Sequence, residues 1–404
     1  MRPYRKFIMI TGITPFISSI FYKFLLSPNQ TANEKGIFPM NPKNEWIAPL
    51  PPLFPTPITH EQWPARQKEL LALFEENIYG RRPDTPFTTT WKIRARDNKA
   101  LAGQATLKLV DITITSGQRS LTFCLRLFTP NQTQQPVPTF LLICNRSRRN
   151  IDYTRRIKSE FWPVEEIIAN GFGAAAFFNG EIDPDVHDGF RNGIHRVLDR
   201  GLRDYAAWGT ISAWAFGASR AMDYLEHDPQ VDASRVAVIG HSRGGKTALW
   251  AGATDPRFAL AISNNSGCTG ASPARRRVGE TVKQINDRFP HWFCTNYIQY
   301  NFCEDKLPVD QHMLIALMAP RAVYVASASE DLWADPVGEF IATREAQQAW
   351  ELFGYDPILP ESPPPIEQPV HGQRIGYHIR KGGHGLRLYD WQQYLRFAKQ
   401  LFSA

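Results

Sequence analysis

A serine enclosed by glycines, Gly240-His-Ser-Arg-Gly244, follows the apolar run Arg235-Val-Ala-Val-Ile239 and leads into Lys246-Thr-Ala-Leu-Trp250. The pattern predicts a short strand, a sharp turn and a helix, an arrangement that lifts a serine hydroxyl clear of the backbone. Glycine is required on both sides because the serine sits in a strained backbone conformation, and a Cβ two residues away would strike a neighbouring element. Ser242 is therefore the candidate nucleophile. Its hydroxyl is too weakly acidic to attack an ester unaided, so a histidine must take the proton and a carboxylate must hold that histidine in the right tautomer.

For this kind of turn the chain order is serine, acid, histidine. With His241 set aside as pointing elsewhere, the histidines after Ser242 are His291, His312, His371, His378 and His384. His384 fits best, because Lys381-Gly-Gly-His-Gly385 reads as a loop between the last short strand and the last helix. His378 lies inside a strand pattern and His371 in a Pro-rich excursion. For the acid, the strand Ala322 to Ala326 runs into Ser327-Ala-Ser-Glu-Asp-Leu-Trp-Ala-Asp335. Asp331 is the first choice, Glu330 and Asp335 the alternates, and Asp335 before Pro336 also reads as a helix cap. The preceding strand end, Ser263-Asn-Asn-Ser-Gly267, offers only amides, which cannot stabilise a charged histidine. The backbone N–H of Arg243 is the expected oxyanion donor, and its guanidinium adds a charged one.

Positioning these residues calls for a layered fold. Helical spacing spans Trp63 to Tyr79 until Arg81-Arg-Pro83 stops it. Ala105 to Ile114 and Leu121 to Phe128 alternate as an antiparallel hairpin around Thr115-Ser-Gly-Gln118. Val137 to Cys144 and Gly173 to Phe178 are nearly continuous apolar runs, as strands covered on both faces must be. Ile211 to Leu225 is helical ahead of Val236 to Ile239. Runs at Phe258 to Ile262 and Ala322 to Ala326, a helical Phe340 to Phe353, a short strand Tyr377 to Ile379 and a closing helix Tyr389 to Phe402 complete the order. This predicts an α/β-hydrolase arrangement, a three-layer sandwich with a mostly parallel, doubly wound sheet, an antiparallel start and reactive groups at the carboxyl ends of strands.

The 404 residues, 43% of them hydrophobic, suffice for a large core. The formal charge of +7 is scattered except at Arg148-Arg149 and Arg275-Arg276-Arg277. Without a basic stripe interleaved with aromatics, nucleic acid is not an expected partner; the clusters read as solvated surface or as a face for an anionic polysaccharide. The five cysteines form no CxxC pair and no zinc-like spacing with histidine, so no metal or other cofactor is expected. Cys144 reads as a buried strand residue, whereas Cys268, Cys294 and Cys303 leave room for one disulfide. Residues 1–27 pair a basic start with an apolar run and read as an export signal, cleaved or kept as a weak membrane anchor. Residues 28–59 read as a Pro-rich linker or extended arm, and 60–404 as one catalytic domain. The expected location is secreted or periplasmic, the expected state a monomer.

Taken together, Gly-His-Ser-Arg-Gly-Gly-Lys246, Ser263-Asn-Asn-Ser-Gly-Cys268, Gly279-Glu280, Phe289-Pro-His-Trp-Phe293, Glu330-Asp-Leu-Trp-Ala-Asp-Pro336, Gly383-His-Gly385 and Gly180-Glu-Ile-Asp-Pro-Asp185 resemble the bacterial branch of carbohydrate esterase family 15, the glucuronoyl esterases. The likeness runs from about Trp63 to the carboxyl terminus. It implies hydrolysis of esters between the 4-O-methylglucuronic acid of glucuronoxylan and an alcohol, lignin alcohols or methanol among them. It also implies Ser242 as nucleophile, Arg243 in the oxyanion hole, His384 as base, and Lys246, Glu280 and Trp333 against the uronate. Read from the residues alone, those last three could equally be a surface lysine, a helix residue and core packing. Fungal members carry a glutamate where Asn265 stands, so here the acid should be Asp331. They also carry a half-cystine where His241 stands, so that disulfide is missing. Asn145-Arg-Ser-Arg-Arg149 departs from the usual bacterial loop and leaves the preferred alcohol open. An acetylxylan or broad carboxylesterase, or a non-catalytic carbohydrate-binding relative, are the rival readings.

Overall fold

The alternation of side chains along each central strand places one residue set above the sheet and the next below, and this chain fills both sides with apolar groups. In the computed structural model, which describes residues 46–133 and 135–403, Val236 and Val238 join one core while Ala237 and Ile239 join the other. Val323 and Val325 likewise face one side, and Tyr324 and Ala326 the other. Each fully buried aliphatic or aromatic side chain contributes roughly 1.5–3 kcal/mol to folding, so the two cores together fix the layers.

The strands are β1 (Thr88–Ala100), β2 (Ala105–Ser116), β3 (Arg119–Pro130), β4 (Val137–Cys144), β5 (Gly173–Phe178), β6 (Val231–His241), β7 (Leu260–Asn264), β8 (Ala322–Ala328), β9 (Val370–His371) and β10 (Ile375–Arg380). They form a ten-stranded sheet in the order β1-β2-β3-β5-β4-β6-β7-β8-β10-β9. The pairs from β5 through β10 are parallel, while β1 to β3, the β3–β5 pair and β9 are antiparallel. The sheet is the α/β-hydrolase arrangement expected. Its register matters for chemistry: His241 pairs with Asn264, Asn264 with Ala326 and Arg380 with Ala328. The loops leaving β6, β7, β8 and β10 therefore emerge side by side, about one strand spacing apart.

Several details differ from the sequence expectation. Strand β1 lies outside the sequence expectation, because its apolar face is short, Trp91, Ile93 and Ala95 only, within an otherwise polar run; it is a mostly exposed edge strand, held by its ladder to β2 and by Trp91 against the core. The leading helix is α-helical only over Trp63–Phe74 and widens into a π turn over Glu75–Tyr79 before Gly80 at φ 81°. The helix expected over 340–353 divides into Pro336–Ala346 and Gln348–Glu351. Cys268, Cys294 and Cys303 are all free thiols, so no disulfide joins them. Two of the three arginines at 275–277 are interior: Arg275 and Arg276 are buried on Asp310 and Asp335, while Arg277 stays exposed and reaches Glu304. Arg148 lies over the Phe178 ring and pairs with Glu181. Those carboxylates are remote in sequence, so a local reading of charge could not find them.

The expected export signal and the first part of the expected linker fall outside the described residues. Residues 46–59 run along the surface without a helix, pinned where the Ile47 N–H meets the Arg275 carbonyl at 3.1 Å and Arg66 Nε meets the Leu53 carbonyl at 3.0 Å. Among the described residues no helix is long and apolar enough to cross a membrane.

Candidate active site

Strand β6 ends at His241, and Ser242 turns the chain sharply into the helix Arg243–Thr254 with φ 58° and ψ −126°. A non-glycine residue at such angles stores on the order of 1–3 kcal/mol, held here by its surroundings. The Ser242 N–H donates to the Asn264 carbonyl at 2.8 Å, and its own carbonyl accepts from Gly245 N at 2.8 Å and Lys246 N at 3.1 Å. A Cβ on Gly240 would lie 1.9 Å from the Gly244 carbonyl oxygen, which is why that position admits only glycine.

The loop after β8 brings a carboxylate to the loop after β10. His384 Nδ1 lies 2.6 Å from Asp331 Oδ2, the carboxylate being 5% exposed and the imidazole partly open. With Nδ1–H donated to a carboxylate, Nε2 carries the lone pair and can accept a proton. Asn265 Nδ2 donates to the same Asp331 oxygen at 3.0 Å. The two alternates are placed elsewhere. Asp335 caps the helix Pro336–Ala346 through Gly338 N and pairs with Arg276, while Glu330 is exposed. His378 is buried on Asp390 and Tyr324, and the half-buried His371 also meets Tyr324.

His241 does not simply point away. Its ring packs 4.4 Å from that of His384, with Nδ1 on Asn264 Oδ1 at 2.6 Å and Nε2 on Arg146 Nη2 at 2.8 Å. Arg146 can only donate, so Nε2 must accept and the ring must be neutral; burial, His384 and Arg146 all push its pKa well below the usual range. Thus His241 forms an uncharged wall behind His384.

Lys246, on the first turn after Ser242, is 2% exposed and donates from Nζ to the Ser266 carbonyl at 2.6 Å and to the Cys268 carbonyl, with Glu280 Oε2 at 3.7 Å. Glu280 is also buried, and its N–H meets the Trp333 carbonyl at 3.0 Å. Trp333 itself is 40% exposed, with the Arg288 guanidinium 5.6 Å from its ring. The three residues therefore form one patch, polar and dry at its base and aromatic at its rim.

Behind Asp331, Glu339 accepts from Gly267 N at 2.9 Å and Ser327 Oγ at 2.7 Å. Burial, reinforced by the Asp331 charge, raises its pKa to about 8 against these bonds. The folded protein thus holds this proton where the unfolded chain releases it. Stability from the group is complete below about pH 4.5 and declines as pH rises toward 8. Glu339→Gln, which keeps a neutral partner for both neighbours, should flatten that decline; unfolding midpoints of both proteins from pH 5 to 8 check this, and parallel curves would refute it.

Relatives of known structure and sequence share this frame. A family model for fungal glucuronyl esterases matches residues 193–354. A carbohydrate esterase from an unknown prokaryotic organism is 41% identical over 369 residues, covering 84% of this chain and 85% of its own. The solved glucuronoyl esterase of Solibacter usitatus superimposes with a TM-score of 0.83 at 38% identity, over 89% of this chain and 99% of that one. A promiscuous esterase of the same family from a marine bacterial metagenome gives 0.81 at 39% identity, over 88% and 98%. The chain belongs to carbohydrate esterase family 15.

In this family 15 esterase, sequence reasoning missed the groups that act through others. Arg380 grips the His384 loop by donating to the carbonyls of Lys381, Gly383 and Gly385 at 2.6–3.0 Å, and Asp390 holds its Nε at 3.0 Å. A strand-end arginine followed by Gly-Gly was the only local signal. Asn265, dismissed as a weak amide, orients Asp331. Among the described residues no cluster of three or more His, Cys, Asp or Glu is placed to hold a metal ion.

Proposed function

We propose that this glucuronoyl ester hydrolase works through Ser242, His384 and Asp331 by way of an acyl-enzyme. Ser242 Oγ attacks the ester carbonyl as His384 Nε2 takes its proton, and the tetrahedral intermediate expels the alcohol, which receives that proton. Water then attacks the uronoyl-serine ester by the same proton path and releases the uronic acid. The Arg243 N–H and guanidinium stabilise the negative oxygen in both steps. The observation that carries this reading is the 2.6 Å contact of His384 with buried Asp331, on loops that register places beside the strained Ser242 turn.

Lys246 and Glu280 present charged groups to the uronate hydroxyls, and Trp333 covers the sugar ring. Trp333→Ala should raise KM for benzyl glucuronate by about 3- to 10-fold with little change in kcat or unfolding midpoint, since a face contact of about 0.5–1.5 kcal/mol is lost from an exposed site. An unchanged KM would remove Trp333 from the binding surface. The chain is exported, its basic and apolar amino terminus being the support, and acts as a monomer on glucuronoxylan. Because one close relative is described as promiscuous, a broader carboxylesterase is the second reading. Turnover of benzyl glucuronate against release of acetate from acetylated xylan separates them: strong preference for the first supports the uronate specificity, and equal or better deacetylation overturns it.

A further inference from the structure

The Arg243 side chain is too flexible to be a precise donor unless something fixes it, for an arginine loses up to about 2 kcal/mol of rotamer entropy on being held. Asp185, at the end of Gly180-Glu-Ile-Asp-Pro-Asp185, accepts from Arg243 Nη1 through one carboxylate oxygen. Its other oxygen accepts from His291 Nε2 at 3.0 Å and Trp292 Nε1 at 2.8 Å. Trp292 acts twice, since its ring also lies 4.9 Å under the guanidinium and is stacked at 3.8 Å on Phe289, itself 5.5 Å from Arg243. One edge of the guanidinium is thus tied to a carboxylate and one face to an indole. Arg243 Nε is left buried with no hydrogen-bond partner. A buried, unpaired charged donor beside the nucleophile is costly at rest and useful only when negative charge develops next to it. Although burial alone would raise it, the bonds from His291, Arg243 and Trp292 hold the Asp185 carboxyl below the usual carboxylate range, so the anchor stays ionised.

We propose that Asp185, anchored by Trp292 and His291, is the positioning residue that presents the Arg243 guanidinium to the developing oxyanion. The inference rests on the reading of Arg243 as an oxyanion donor. Asp185 acts through Arg243, since each of its oxygens already accepts from a donor of the protein. Replacing Asp185 by asparagine either turns an amide N–H₂ toward the guanidinium, so that Arg243 loses its acceptor, or swings it toward the indole, so that His291 and Trp292 both lose theirs.

A double-mutant cycle on benzyl glucuronate turnover tests this, with Asp185→Asn, Arg243→Ala and the pair. One oxyanion donor is typically worth about 10²–10³ in kcat. Asp185→Asn should therefore lower kcat by roughly 10- to 100-fold with KM within about threefold, less than Arg243→Ala does. In the Arg243→Ala background the same change should alter kcat by less than about twofold, since residues acting as one unit are not additive. Trp292→Phe, which keeps the ring but removes its N–H, supplies a second cycle should Asp185→Asn fold poorly; it should lower kcat severalfold, again only when Arg243 is present. Equal losses in both backgrounds would show a purely structural role and overturn the proposal, as would an unimpaired Asp185→Asn. Near-normal kcat in Arg243→Ala would instead overturn the oxyanion reading beneath it.

Discussion

Ser242→Ala should abolish turnover of benzyl glucuronate, by about 10⁶-fold, the loss that follows removal of the nucleophile in a serine protease. The substitution removes one oxygen from a turn whose backbone is held by Asn264, Gly245 and Lys246 rather than by the hydroxyl. The unfolding midpoint should therefore stay close to that of the parent, and the uronate should still bind, because Lys246, Glu280 and Trp333 lie apart from the removed atom. Steady-state kinetics with a binding titration of glucuronate separate the two effects. Appreciable turnover in Ser242→Ala would mean that another group attacks the ester.

Asp331→Asn should lower kcat by about 10²- to 10⁴-fold, the upper figure being that of the serine-protease precedent. The structure explains why the loss need not reach that limit. Asn265 Nδ2 and His384 Nδ1 both donate to Asp331 Oδ2, so an amide at 331 can be turned by Asn265 to offer its carbonyl to the imidazole. The tautomer is then retained and only the charge that balances the imidazolium is lost. The same contact bears on Asn265→Asp, which on sequence grounds would be nearly neutral. A second carboxylate 3.0 Å from Asp331 Oδ2 in a buried site brings like charges together and holds one of them protonated, so this variant should lose stability or activity. Combined with Asp331→Asn it restores a single carboxylate at the neighbouring strand end and should recover part of the loss. A fully active Asp331→Asn beside a crippled Glu330→Gln would place the acid one residue earlier.

The succession of central strands along the chain, and the candidate serine, carboxylate and histidine in the loops that follow them, were legible because each rests on local pattern. Apolar runs mark strands buried on both faces, Gly-x-Ser-x-Gly marks a turn in which position 240 admits only glycine, and Gly-Gly-His-Gly marks a loop that Gly382 opens at φ 100°. What failed depends on contacts across the sheet. Strand β1 advertises itself only through Trp91, Ile93 and Ala95, and depends on the ladder that β2 offers. Arg275 and Arg276 look like a basic surface until Asp310 and Asp335 fold onto them. Lys246 could have been a surface lysine, and only the Ser266 and Cys268 carbonyls show that it is an interior one. Asn265, Asp185 and Glu339 carry no catalytic signature of their own, for each touches a neighbour remote in sequence, and Arg380 shows its grip on the following loop only once that loop is folded back over it.

Passage of ester cleavage through the hydroxyl of Ser242 is decided by titrating the enzyme with a serine-directed fluorophosphonate, following benzyl glucuronate turnover and mapping the adduct by peptide mass spectrometry. The predicted result is one adduct per chain, on Ser242, formed in proportion to the activity lost and slowed by added glucuronate. Full turnover by protein labelled at Ser242, or loss of activity that tracks labelling of a different residue, would contradict it.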